Sequence, residues 1–119
     1  MRAHRSGTLT TELARIDPSV SVLCDVHNTL VNTVLRKYAN KELQDKYMPD
    51  LSSHMLGSFC LSEPSSGSDA FAMKTSVKKT DDGKHYIING SKMWITNSGE
   101  ADFFIVFAPV SYTHLTLPT

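Results

Sequence analysis

Near residue 56 the spacing of the apolar residues changes from steps of three and four to steps of two, and one kind of backbone cannot serve both periods. Before that point Val20, Leu23, Val26, Leu30, Val34 and Tyr38 fall on one helical stripe. Asp17 stands where an N-cap side chain is needed and Pro18 at the first helical position, so the pattern predicts a helix from Pro18 to about Asn40. Asn40 in turn can cap a shorter helix carrying Leu43 and Tyr47, which Pro49 should stop or bend. After that point the punctuation is Gly, Asp and Asn. The runs GSFCLS (57–62), FAMKTSVKKT (71–80), HYIIN (85–89), GSKMWIT (90–96) and ADFFIVFA (101–108) read as strands, with Gly83 of DDGK supplying a positive φ to a hairpin turn. Their short links favour antiparallel neighbours. The expected fold class is therefore α+β: a helical segment over residues 12–55, followed over 56–109 by part of an antiparallel, β-barrel-like domain. Residues 1–11 and 110–119 fit neither pattern and are read as unreliable or foreign ends.

Charge and cysteine usage remove several classes of function. Twelve Lys and Arg balance twelve Asp and Glu, and no basic cluster occurs, so the electrostatic footprint of a nucleic-acid binder is missing. The longest apolar run, DFFIVFAPV, is too short to span a membrane as a helix. Cys24 and Cys60 are far apart and have no CxxC or Cys/His ligand spacing, which points to neither a disulfide framework nor a metal site and suits a reducing compartment. Asn89-Gly90-Ser91 matches a glycosylation sequon, but Asn-Gly between two strands is more simply a tight turn. The opening MRAHRSGTLTT has Arg and Ser without acids, yet is too short to be read as a transit peptide.

One stretch is unusual. SEPSSGSD (62–69) follows directly on an apolar strand and is much longer and richer in small residues than a hairpin turn requires. Small residues let backbone N–H groups come close to an anion or a ring carbonyl. The stretch FCLSEPSSGSD, followed about twenty-five residues later by NGSKMWITN, resembles the middle domain of the acyl-CoA dehydrogenases, flavoproteins that introduce a double bond between Cα and Cβ of an acyl-CoA thioester. With DPSVSVLCDVHNTL and GSFCLSE, the resemblance covers about residues 12–108 and is strongest to the short/branched-chain group, which acts on 2-methyl-branched acyl-CoA. Where the family commonly has Gly-Ala, this chain has Ser65 and Ser66.

The resemblance implies FAD as cofactor and assigns residues to it. Phe59, Cys60, Leu61, Ser62, Gly67 and Ser68 would wrap the isoalloxazine and pyrophosphate, Ser68 also meeting the CoA ester. In the WIT triplet Trp94 would cover a face of the ring, beside Ile95, and Thr96 would reach toward N5. It implies further an acyl-CoA substrate, electron transfer to an electron-transfer flavoprotein, a homotetramer and a mitochondrial matrix location. The family's catalytic glutamate belongs to a C-terminal helical domain, so no residue of this chain is expected to be the base, and no metal is expected.

Plainer readings stand beside these. A lone Trp in a strand is usually core, and Ser or Thr in turns usually satisfies local backbone. Glu63 and Asp69 read as turn residues, His27 and Asn28 as structural, and His54 and His85 as unpartnered. Other functional classes are another superfamily member, such as a glutaryl-CoA dehydrogenase or an acyl-CoA oxidase, and a non-catalytic β-module binding through its sheet edge.

Overall fold

The computed structural model describes residues 3–109, with side chains from residue 8 onward; the tail from Val110, expected to be foreign, lies outside the described residues. Four α-helices and four strands follow in the expected order: α1 (Ala3–Ile16), α2 (Pro18–Asp25), α3 (Asn32–Tyr38), α4 (Lys41–Leu51), β1 (Gly57–Cys60), β2 (Ser76–Lys79), β3 (Tyr86–Asn89) and β4 (Phe103–Val106). The α+β class is thus observed, and among the described residues no closed barrel forms. The chain divides into two compact units, one made of residues up to Phe59 with Ile95–Ile105, the other beginning with Cys60–Trp94 and continuing from Val106.

In the first unit the helix caps are those the sequence predicts. The Asp17 carboxylate accepts from the N–H groups of Ser19 and Val20, and the Asn40 side chain from that of Leu43. The stripe does not run as one regular helix, however. Between α2 and α3, Val26–Val31 widens into a π-helical turn in which the Asn32 N–H donates to the His27 carbonyl, five residues back. The Asn28 amide and Thr29 hydroxyl fill in by donating to the carbonyls of Cys24 and Asp25, at 2.9 and 2.6 Å. Pro49 lies inside α4, which ends two residues later at Leu51, where Ser52 N–H returns to Met48 and the N–H groups of Ser53, His54 and Met55 all return to the Asp50 carbonyl. Residues 3–16 form a helix, so the helical segment starts before residue 12, where it was expected to begin.

The wide turn places His27 between two main-chain segments. Gly57 N–H donates to its Nδ1 at 3.1 Å, so the neutral ring carries its proton on Nε2, which donates to the Leu51 carbonyl at 2.8 Å. One imidazole therefore ties the end of α4 to the start of β1, the structural role expected of it. Val31, Leu35 and Leu51 form the buried cluster, with Tyr47, Met55, Phe59, Phe103 and Ile105 packed against it. Gly57 touches this cluster so closely that a Cβ there would stand 2.6 Å from Cγ1 of Val31, which is 0 % exposed.

The strands are shorter than the runs that announced them, and one pairing differs. β2 and β3 form the expected antiparallel hairpin, with Ser76 opposite Asn89 and Lys79 opposite Tyr86, and Gly83 takes φ +70° in its turn. β1 pairs instead with β4. Phe103 N–H donates to Leu56 and Phe107 N–H to Cys60, each donor 47 residues beyond its acceptor, so this pair runs parallel. The expectation from short links holds for chain neighbours only, and a whole hairpin lies between β1 and β4. FAMKTSVKKT becomes a strand only from Ser76; Ala70–Ala72 is a 3₁₀ turn started by the Asp69 carboxylate, which accepts from Phe71 N–H. GSKMWIT forms no strand at all.

The contact at Gly57 yields a test. Gly57→Ala in the whole protein should lower stability by about 1–3 kcal/mol, as overpacking does, whereas Gly67→Ala, where a Cβ meets nothing within 4 Å, should be nearly silent. Denaturant melts of the two variants measure this, and equal midpoints would mean that β1 does not press on Val31.

Candidate functional site

Within the second unit the segment that should hold a ligand is built around a buried carboxylate. Residues 63–66 close a tight turn in which Glu63 N–H donates to the Ser66 carbonyl at 2.9 Å and Ser66 N–H returns to Glu63 at 3.1 Å. The Ser66 hydroxyl donates to the Asp69 carbonyl at 2.6 Å. This turn sends the Glu63 side chain inward. Its Oε1 accepts from the Thr75 N–H at 3.0 Å and from Lys92 Nζ at 2.8 Å, and its Oε2 accepts from Lys74 N–H. The Glu63 side chain is 2 % exposed and that of Lys92 11 %. These four groups explain why FAMKTSVKKT and GSKMWIT break their strand period. The N–H groups of Lys74 and Thr75 serve a carboxylate, and Lys92 must point inward.

Electrostatics follow from that geometry. The Lys92 ammonium first, and then the N–H groups of Lys74 and Thr75, hold the Glu63 carboxyl at about 2 against an ordinary value of 4.5. The Cys60 thiol is pushed up by burial, with Lys92 pulling weakly the other way, so it stays a thiol and not a nucleophilic thiolate.

Lys92 also donates to the Leu61 carbonyl at 3.0 Å, and Met93 N–H to the Ser62 carbonyl at 2.9 Å. These bonds bring residues 61–62 of FCLSEPSSGSD against residues 92–93 of NGSKMWITN. Trp94, at their end, holds φ +58° and is 87 % exposed. A left-handed conformation costs a bulky L-residue roughly 1–2 kcal/mol, and a bare indole leaves a large apolar face in water. Such outliers gather where a structure is shaped to receive something. Ser68 and Gly67 are exposed on the same loop, with open space around Gly67. A planar, partly apolar group with polar edges fits this arrangement of small residues, fixed peptides and an uncovered indole.

The remaining expected site residues lie in the first unit. The Phe59 ring packs on the Val31 cluster. Ile95 and Thr96 are half-buried, and the Thr96 carbonyl accepts the Ser58 hydroxyl at 2.8 Å. Ser58 itself is wholly buried. Lys92 and the inward role of Glu63 escaped the sequence reading; the one available signal was a lone lysine inside the otherwise apolar KMWI.

Comparison with known proteins bears on this arrangement. Residues 1–54 match the sequence model of the acyl-CoA dehydrogenase N-terminal domain and residues 58–116 that of the acyl-CoA dehydrogenase middle domain. The rat short/branched chain specific acyl-CoA dehydrogenase, mitochondrial, is 52 % identical over 99 residues, which are 83 % of this chain and 22 % of the rat protein. The crystal structure of glutaryl-CoA dehydrogenase from Mycobacterium smegmatis superposes with TM-score 0.84 at 34 % identity over 89 % of this chain and 27 % of that one. That of acyl-CoA dehydrogenase complexed with FAD from Bacillus anthracis gives 0.75 at 38 % identity over 77 % and 16 %. The chain thus spans roughly a quarter or less of the proteins it matches.

The depressed Glu63 carboxyl makes stability pH-dependent. Because its folded value lies below the unfolded one, its contribution is complete above about pH 4.5 and is lost as pH falls from there toward about 2. Stability measured across that window should fall more steeply in the parent than in Glu63→Gln. Parallel curves would mean that the carboxylate is not held as described.

Proposed function

Since the chain belongs to the acyl-CoA dehydrogenase family, we propose that it forms the FAD-binding part of an enzyme that dehydrogenates short or 2-methyl-branched acyl-CoA thioesters between Cα and Cβ. The observation that carries this reading is the meeting of Leu61–Ser62 with Lys92–Met93, next in the chain to an exposed Trp94 whose backbone is left-handed. In this assignment residues 12–55 close the N-terminal helical domain and 56–109 open the middle domain. The 52 % identity to a short/branched-chain relative supports the acyl preference. The electron-transfer flavoprotein as acceptor, the homotetramer and the mitochondrial matrix belong to the same proposal. The likeness to a glutaryl-CoA dehydrogenase structure supports a second reading, a dicarboxylic acyl-CoA as substrate.

Bound FAD supplies a two-electron acceptor for the hydride that leaves the β-carbon as the α-proton is removed. This chain's residues bind and orient. Leu61 and Ser62 offer main-chain and hydroxyl hydrogen bonds, Trp94 a cover for one ring face, and Thr96 a hydroxyl and N–H toward N5. Gly67 and Ser68 keep the loop small enough for close approach, and Ser68 is the assigned contact to the CoA ester. Removing the α-proton requires a carboxylate within hydrogen-bond reach of it, and no carboxylate of this chain is assigned that task. Glu63 is excluded by its own bonds, since Lys92 and two backbone N–H groups already occupy it.

Thr96→Ala in the whole enzyme should weaken FAD retention about five- to a hundred-fold, because an unsatisfied buried partner costs roughly 1–3 kcal/mol. Ser65→Gly should change little, as Ser65 is exposed at the tip of the turn. Bound FAD per protomer after dialysis, read by absorbance, decides it. Thr96→Ala retaining flavin with an unshifted spectrum would remove Thr96 from the site.

A further inference from the structure

We propose that Glu63 and Lys92 are positioning residues for the flavin edge: through one buried ion pair they set the directions of the Leu61–Ser62 peptide and of the main chain entering Trp94. This rests on the flavin-binding reading above.

A single ammonium makes the connection. Lys92 Nζ donates to Glu63 Oε1 at 2.8 Å and to the Leu61 carbonyl at 3.0 Å. In a trans peptide the carbonyl of one residue and the N–H of the next point in opposite directions, so fixing the Leu61 carbonyl on Lys92 turns the Ser62 N–H away from it. The following peptide is fixed at both ends, its Ser62 carbonyl by Met93 N–H and its Glu63 N–H by the Ser66 carbonyl, each at 2.9 Å. On the other segment the inward Lys92 is followed at once by Met93, bonded to Ser62, and by Trp94 at φ +58°. Neither charged side chain needs to touch a ligand. Their effect passes through the backbone groups that do.

The pair also differs from an ordinary surface ion pair. Glu63 is held by two backbone N–H groups besides Lys92, so the carboxylate is the fixed member and the ammonium is placed by it. Opposite charges at this distance cancel, which leaves the flavin edge oriented without adding net charge to it.

Removing one partner strands the other charge in a buried place, so a single variant such as Lys92→Met tests folding as much as positioning. The informative protein is the double variant Glu63→Gln with Lys92→Met, in which no buried charge is left unpaired. Purified as the whole enzyme, it should recover most of the melting temperature lost by Lys92→Met. It should still release FAD about ten- to a hundred-fold faster than the parent, with a shifted flavin absorption spectrum, the size expected for losing a charge-assisted hydrogen bond. In the flavin-free protein the Met93 amide should exchange its hydrogen faster than in the parent. Lys92→Arg, which keeps donors to both oxygens, should retain more flavin than the double variant. If the double variant regains stability and flavin retention together, the pair only neutralises charge and the proposal is overturned. A parent enzyme that binds no FAD before any substitution would overturn the flavin reading itself, and the proposal with it.

Discussion

One carboxylate, buried and collecting three donors from distant parts of the chain, is the constraint on which the second unit is arranged. Glu63 draws in the N–H groups that precede β2 and the lysine that precedes Trp94, and the turn of residues 63–66 exists in the form that lets it do so. A buried charge has to be paired and hydrogen-bonded nearly completely, because any missing partner would leave it desolvated without return. Three separate stretches are therefore specified to within a hydrogen bond by one side chain. Apolar contacts are too undirected to do that, and this unit has few of them: the β2–β3 hairpin leaves Tyr86, Ile87 and Ile88 exposed.

The first unit applies the same economy with a neutral group. His27 accepts from one main-chain group and donates to another, so it specifies both position and tautomer where α4 ends and β1 begins. Around it the apolar cluster supplies the bulk of the burial, with Tyr47 and Phe103 in ring contact at 5.2 Å. Asn97 adds a second side-chain tie, donating to the Gly57 carbonyl at 3.1 Å from its own left-handed backbone position. Polar side chains that finish main-chain hydrogen bonds at the ends of elements decide where those elements stop.

Local chemistry was legible in the sequence wherever a feature depends on its near neighbours. The caps at Asp17 and Asn40, the Gly83 turn and the change of period at residue 57 all involve residues no more than four positions apart. The unusual loop was legible as a place where backbone must come close to something. What stayed hidden depends on partners tens of residues away. Lys92 turns inward because of Glu63, β1 runs parallel to β4 because their link is long, and the π turn exists because His27 must face Leu51 and Gly57. In each case a local pattern was present and was overridden by a distant bond.

The wide turn at Val26–Val31 has an evolutionary corollary. A π turn holds one residue more than the α-helical turn it interrupts, and each helical residue advances the helix by about 100°. Deleting one residue here would let the helix relax into a regular and locally more comfortable form, yet every side chain on one side of the deletion would swing by that angle relative to the other. His27 and Val31 could not both keep their neighbours. Substitutions in this segment alter single contacts, whereas a change in its length re-aims a whole helix, so chain length is the quantity that natural variants of this segment are least free to change.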